Sequence, residues 1–218
     1  MSPGPAPSPR VRPPGVLPPG ALPPGALPPG VLPPGVLLAP GAGAGRDQAS
    51  LVALDHALGA TGAVVERMDF PYRRAGRRAP DRTPTLIAAV VSEATALRRR
   101  VGHLGLGGRS MGGRMCSLAV AQWLAADALI LVSYPLHPPG RPDRMRTEHF
   151  AAIDVPCLFV SGTRDAFGRP DELEMATAMI AGAVTHHWVA GGDHGLRRAN
   201  REVAEVVAAW WVGALSGR

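Results

Sequence analysis

From Val36 onward the chain alternates short apolar runs with longer stretches of helical periodicity, and that alternation leaves few folds open. Apolar runs of strand length occupy residues 36–39, 63–68, 104–107, 128–132, 156–161 and 184–189. Between them the periodicity predicts helices over about 48–58, 86–100, 171–181 and 200–215, and one after residue 110 that continues to 126. The arginine-rich segment 71–83 reads as a polar loop. Most of these runs are apolar throughout, which marks strands buried on both faces, as in a parallel sheet covered by helices on each side. The predicted fold class is therefore α/β: a doubly wound, mostly parallel sheet of about six strands. A chain of 218 residues is too short for two ordinary domains, so residues 35–218 are expected to form one.

In such a sheet the ligand site lies outside the carboxyl ends of the strands. Three polar clusters follow three different runs. After 104–107 comes Gly108-Arg109-Ser110-Met111-Gly112, a nucleophile-elbow pattern in which the serine sits on a sharp strand-to-helix turn. Asp165 follows the run at 156–161, and His194 follows 184–189 in a glycine-rich loop, residues 191–195. A serine hydroxyl attacks poorly until an imidazole takes its proton, and the imidazole needs a carboxylate to set its tautomer. The order serine, acid, histidine suits Ser110 as nucleophile, Asp165 as acid and His194 as base. Asp143 and Asp193 are the other candidate acids, and Asp193 adjoins His194 too closely to face its Nδ1. The oxyanion donors are expected at the backbone N–H of Met111 and, in the loop Gly41-Ala42-Gly43-Ala44-Gly45, at Ala42. Gly41, Arg109 and His137 are expected to line the pocket; His186 and His187 fall within the last strand, and His56 on the surface of the first helix.

Two other readings stay open. The glycine loop after the first run, with Glu66 near the end of the second, approaches a dinucleotide-binding unit. It lacks the third glycine at position 46, which is Arg, and it leaves Ser110, Asp165 and His194 without a role. The domain could also be a non-catalytic interaction module that uses the basic segment 73–78 as a contact surface.

Composition narrows the partners. All 23 basic residues are arginine and the net charge is +6, but the arginines are scattered in short groups and aromatics make up only 5%, so a solvated surface is expected rather than nucleic-acid binding. No apolar run reaches membrane-spanning length and no signal sequence is evident, so no membrane partner is expected. Cys116 and Cys157 each lie in an apolar run, with neither metal-site nor disulfide spacing, as in a reduced, cytoplasmic protein. No metal or organic cofactor is implied, and the expected partner is a small-molecule acyl substrate. Residues 13–37 repeat Pro-Pro-Gly-(Val/Ala)-Leu with a period of five; the double prolines remove backbone donors, so no ladder is expected there and residues 1–34 read as disordered.

Five motifs together resemble a known family: Leu38-Ala39-Pro40-Gly41-Ala42-Gly43-Ala44-Gly45, Gly107-Gly108-Arg109-Ser110-Met111-Gly112-Gly113-Arg114, Tyr134-Pro135-Leu136-His137-Pro138-Pro139-Gly140, Gly162-Thr163-Arg164-Asp165 and Gly192-Asp193-His194. Over about residues 35–215 the chain resembles the small, lidless, dienelactone-hydrolase-like branch of the α/β-hydrolase superfamily, which includes testis-expressed and chromatin-complex hydrolase-like proteins. The resemblance implies an α/β-hydrolase-type sheet and an esterase-like triad of Ser110, Asp165 and His194. It departs from the family at Pro40, where relatives usually carry histidine. The one or two strands that relatives place before the first run also have no counterpart here, which leaves the strand at 63–68 on an edge.

Overall fold

The computed structural model describes residues 30–216; the disorder expected over residues 1–34 lies, as far as residue 29, outside the described residues. The chain divides after Val31, and the unit that begins at Leu32 carries all the elements described here. In chain order these are β1 (Pro34–Ala39), α1 (Ala49–Gly59), β2 (Val64–Arg67), α2 (Pro71–Arg74), α3 (Thr83–Arg98), β3 (His103–Arg109), α4 (Met111–Ala121), β4 (Ala128–Val132), a 3₁₀ turn (Phe150–Ala152), β5 (Cys157–Gly162), α5 (Pro170–Thr177), β6 (Val184–Val189) and α6 (Asn200–Ser216). The six strands form one sheet in the order β2-β1-β3-β4-β5-β6, and every pairing is parallel.

Because successive strand residues point to opposite faces, each strand feeds two separate cores. Leu37, Leu106, Leu129, Leu131 and Phe159 face α3 and α4, where Val90, Ala94, Leu97, Met115 and Cys116 meet them. Val36, Leu38, Ile130, Val132, Leu158 and Val160 face α1 and α6, meeting Leu51, Leu54, Leu58, Val207 and Trp211. Trp211 is fully buried, and Gly105 makes room for it: a Cβ on Gly105 would lie 2.7 Å from the indole Cζ3.

Four expectations need correction. β1 begins inside the last Pro-Pro-Gly repeat, at Pro34, although no ladder was expected there. Proline is tolerated as the first residue of a strand, and the neighbouring Gly35 lies so close to Val101 that a Cβ would meet its Cγ1 at 2.5 Å. The segment 71–83 is not wholly a loop: α2 sits there and buries Tyr72 completely. Helix α4 stops at Ala121, because Trp123 takes a left-handed φ of 77° and the Leu124 N–H turns back to the Ala119 carbonyl. Helix α5 stops at Thr177, well short of 181, and the chain there folds back on Ile153, whose carbonyl accepts the Ala181 N–H at 3.0 Å.

Among the described residues β2 has a strand neighbour on one side only, the edge position expected for it. Its end is held by charges: Arg67 pairs with Asp55 at 2.9 Å and Asp47 at 3.0 Å, and Glu66 pairs with Arg100 at 2.8 Å. Charged residues on an edge strand discourage pairing with another chain. No helix among the described residues is long and apolar enough to cross a membrane.

Candidate active site

The chain runs outward from β1 to β2 and then returns to β3 on the other side of β1, so the loops after β1 and β3 open beside each other. Such a reversal of strand order creates a crevice at the carboxyl edge of the sheet. A cleft of about 580 Å³ lies here, lined by Gly41 and Ala42 from one loop and Arg109, Ser110 and Met111 from the other, with His194 and Phe167 beside them.

The β3–α4 turn is tight. Ser110 has φ 49° and ψ −115°, a conformation that side chains rarely adopt, and is held there by its N–H to the Val132 carbonyl at 2.8 Å. Its flanking glycines face the end of β1: a Cβ on Gly108 would lie 2.2 Å from the Ala39 carbonyl oxygen, and one on Gly112 would lie 2.1 Å from it. The glycines are needed because the turn packs on neighbouring backbone, not only because the chain doubles back.

Asp165 and His194 arrive from the far strands. His194 Nε2 lies 2.9 Å from Ser110 Oγ, and His194 Nδ1 lies 2.8 and 3.0 Å from the two Asp165 oxygens. The tautomer that satisfies both contacts carries its proton on Nδ1 and accepts the serine proton at Nε2. Asp165 is only 1% exposed, and its Oδ1 also accepts the Phe167 N–H at 2.8 Å. The Phe167 ring lies 4.1 Å, centroid to centroid, from the His194 imidazole. The loops after β5 and β6 are bound to each other by Arg164 N–H to the Gly192 carbonyl at 2.9 Å, and by the Arg164 guanidinium to the Gly191 carbonyl at 2.6 Å. Neither alternative acid approaches His194 in this way. Asp193 accepts the Gly195 and Leu196 N–H groups instead, and Asp143 pairs with Arg141 in solvent.

Backbone donors lie in the same cleft. The Gly41 N–H is bonded to Gln48 Oε1 and the Gly43 N–H to the Tyr72 hydroxyl, each at 3.0 Å. Between them the Ala42 N–H, like that of Met111, has no partner among the described residues. Met111 opens α4, where the helix dipole favours negative charge. Amides so arranged can stabilise a developing oxyanion.

The Arg109 guanidinium reaches across the cleft to the His194 backbone carbonyl. Burial lowers its pKa, opposed by the charges of Asp165 and Asp193. His137, expected in this pocket, lies elsewhere. Its N–H is tied to the Phe167 carbonyl, and its ring turns to Glu172 at 3.3 Å and to the Pro138 carbonyl at 2.8 Å, in a neighbouring cavity. Gln48, Tyr72, Phe167 and Arg146 were not singled out in the sequence, and Arg114 stood there only as the last residue of the elbow motif. Of these only Arg114 had a local signal, since it lies one helical turn beyond Ser110. No cluster of three or more His, Cys, Asp or Glu among the described residues could hold a metal ion.

A family model described as an alpha/beta hydrolase domain matches residues 33–210. Among solved structures, Est1E from Butyrivibrio proteoclasticus superposes with a TM-score of 0.70 at 15% identity, over 85% of this chain and 89% of that one. Dienelactone hydrolase from Anabaena variabilis gives 0.67 at 18% identity, over 86% and 88%. The monoacylglycerol lipase of Paleococcus ferrophilus gives 0.66 at 15% identity, over 84% and 97%. At these identities the likeness is one of fold.

Proposed function

The chain belongs to the α/β-hydrolase family, and from that premise we propose that it is a serine hydrolase acting on a small ester or related acyl substrate. The observation that carries this reading is the continuous line of hydrogen bonds from Ser110 through His194 to Asp165. Ser110 Oγ attacks the acyl carbonyl while His194 Nε2 takes its proton, and Asp165 steadies the imidazolium that forms. The carbonyl oxygen gains negative charge, which the Ala42 and Met111 amides receive. Collapse of the tetrahedral intermediate breaks the bond to the alcohol, which leaves with the proton from Nε2. Water then repeats the sequence: it gives a proton to His194, attacks the acyl-enzyme, and releases the acid and free Ser110.

The names of two structural neighbours, a dienelactone hydrolase and a monoacylglycerol lipase, agree with acyl chemistry. A cleft of about 580 Å³ is of the size that takes a small-molecule ligand. The two cysteines are free and buried, and burial pushes their thiols up to about 12.

Labelling with a fluorophosphonate probe tests the reading. The wild-type protein is expected to label and Ser110→Ala is not; an unlabelled wild type, or equal labelling of the two, would favour the interaction-module reading instead. Across p-nitrophenyl esters of rising chain length, kcat/KM is expected to fall beyond the short acyl groups.

A further inference from the structure

The motif Tyr134-Pro135-Leu136-His137-Pro138-Pro139-Gly140 opens the connection between β4 and β5, and the triad leaves it without a role. Tyr134 belongs to a fastening of that connection to α4, where His149 Nε2 lies 2.8 Å from Ser117 Oγ and 3.3 Å from the Tyr134 hydroxyl. His137 turns the other way, toward the loop between β5 and α5 that carries the acid. His137 and Pro138 each precede a proline, which disfavours the helical region for both backbones and gives the His137 ring a stiff base.

His137 holds that loop at two points. Its backbone N–H donates to the Phe167 carbonyl at 3.1 Å. Its ring, with 5% of the side chain exposed, places Nδ1 2.8 Å from the Pro138 carbonyl and Nε2 3.3 Å from Glu172 Oε2. The same Glu172 oxygen accepts the Arg169 N–H at 2.8 Å, closing the first turn of α5. These contacts hold the Glu172 carboxyl below its ordinary range, the Arg169 N–H first and His137 after it, against the cost of desolvation. Between the two points the loops touch: a Cβ on Gly168 would lie 2.9 Å from Leu136 Cβ.

What is held in this way is the back of the triad. The Phe167 N–H donates to Asp165 Oδ1 at 2.8 Å, and the Phe167 ring lies 4.1 Å from the His194 imidazole. On the other side of Asp165, Arg164 is anchored to the loop after β6. The acid therefore has one anchor toward β6 and one toward β4. We propose that His137 is a positioning residue for the triad: joined to Glu172, it fixes Phe167, and Phe167 sets the Asp165 carboxylate and the face of the His194 ring. This rests on the serine-hydrolase reading and gives the motif its part in it. A shift of Phe167 would move a hydrogen-bond donor of the acid and a wall of the base together, and small misplacements of reacting groups cost rate steeply.

The test uses the full chain with p-nitrophenyl acetate, kcat being taken per active site titrated with a fluorophosphonate. In His137→Asn the side chain keeps its reach to the Pro138 carbonyl but not to Glu172, and kcat is expected to fall about tenfold or more with KM little changed. His137→Gln puts an amide where Nε2 stood and is expected to recover most of that loss. Glu172→Ala, at the more exposed end of the pair, is expected to match His137→Asn and replaces it as the test if that variant folds poorly. The double variant is expected to lose no more than either single one. Wild-type kcat per titrated site in His137→Asn and Glu172→Ala, with only the urea midpoint lowered, would assign His137 to stability alone and overturn the proposal while the hydrolase reading stands. If the wild type cleaves no ester and takes no fluorophosphonate, the hydrolase reading fails, and nitrogen-15 NMR of the histidine rings decides the positioning. A His194 proton held on Nδ1 in the wild type and mixed tautomers in His137→Asn support it; the same His194 tautomer in both overturns it.

Discussion

Ser110, Asp165 and His194 were each marked in the sequence by standing just after an apolar run, and the sheet brings all three within hydrogen-bond distance. His137 also stands just after a run, yet its ring turns to Glu172 in another cavity. Position along a strand predicts which edge a residue reaches, but not which way its side chain turns. Gln48 and Tyr72 were illegible for a related reason: they steady the glycine loop from 7 and 29 positions away, through single hydrogen bonds that no local pattern records. At this scale the sharpest prediction concerns Asp165. In Asp165→Asn the amide cannot stabilise the imidazolium and favours the wrong tautomer, so kcat for p-nitrophenyl acetate is expected to fall by roughly 10³- to 10⁴-fold. A fall of less than about tenfold, with the fold intact by circular dichroism, would remove Asp165 from the proposed relay.

The β1–β3–α4 unit is the element on which the site depends. Register pairs Ala39 with Gly108, and the Ala39 carbonyl is the atom that the side chains of larger residues at 108 or 112 would strike. Gly112→Ala must push α4 from β1 or distort the turn, so a loss of about 1–3 kcal/mol or more is expected from overpacking. The midpoint of urea unfolding measures it, and a wild-type midpoint would mean that the helix can move away freely. Boundaries of β4 and β6 matched the periodicity residue for residue: β4 is apolar from end to end, and β6, which holds His186 and His187 in its middle, begins with β-branched Val184 and Thr185 and ends at Val189. The ends of α4 and α5 did not. A left-handed residue closing a helix is usually glycine, and here Trp123 takes that conformation, so α4 ends with no residue to announce it.

Over the whole molecule, the connection between β4 and β5 is fastened to α4 by His149, and this gives stability a pH dependence. Burial, then repulsion from Arg114, lowers the His149 pKa to about 4, against the opposing charge of Glu148. In the unfolded chain it titrates near 6.5. Between those values the unfolded chain binds a proton that the folded protein refuses, so stability is full above about pH 6.5 and is lost as pH falls toward 4. His186, whose pKa burial also lowers, acts in the same direction. The urea midpoint is expected to drop between pH 7 and 5, with a shallower drop in His149→Gln. Parallel profiles for the two proteins would show that His149 stays hydrated or protonated in the fold.

What the sequence determined by itself is the alternation of the six strands with the longer helices, the parallel character of the sheet and the three residues at its carboxyl edge. These are encoded locally, in the period of burial along the chain and in the turn that follows each strand. Tertiary structure alone decided the lateral order β2-β1-β3-β4-β5-β6, the turning of His137 away from the cleft, and the convergence of Arg109, Arg114 and Arg146 within it. Parallel strands present the same backbone donors and acceptors to any neighbour. Their order is therefore set by how the two cores pack, and the cleft takes its charge from side chains that only this packing brings together.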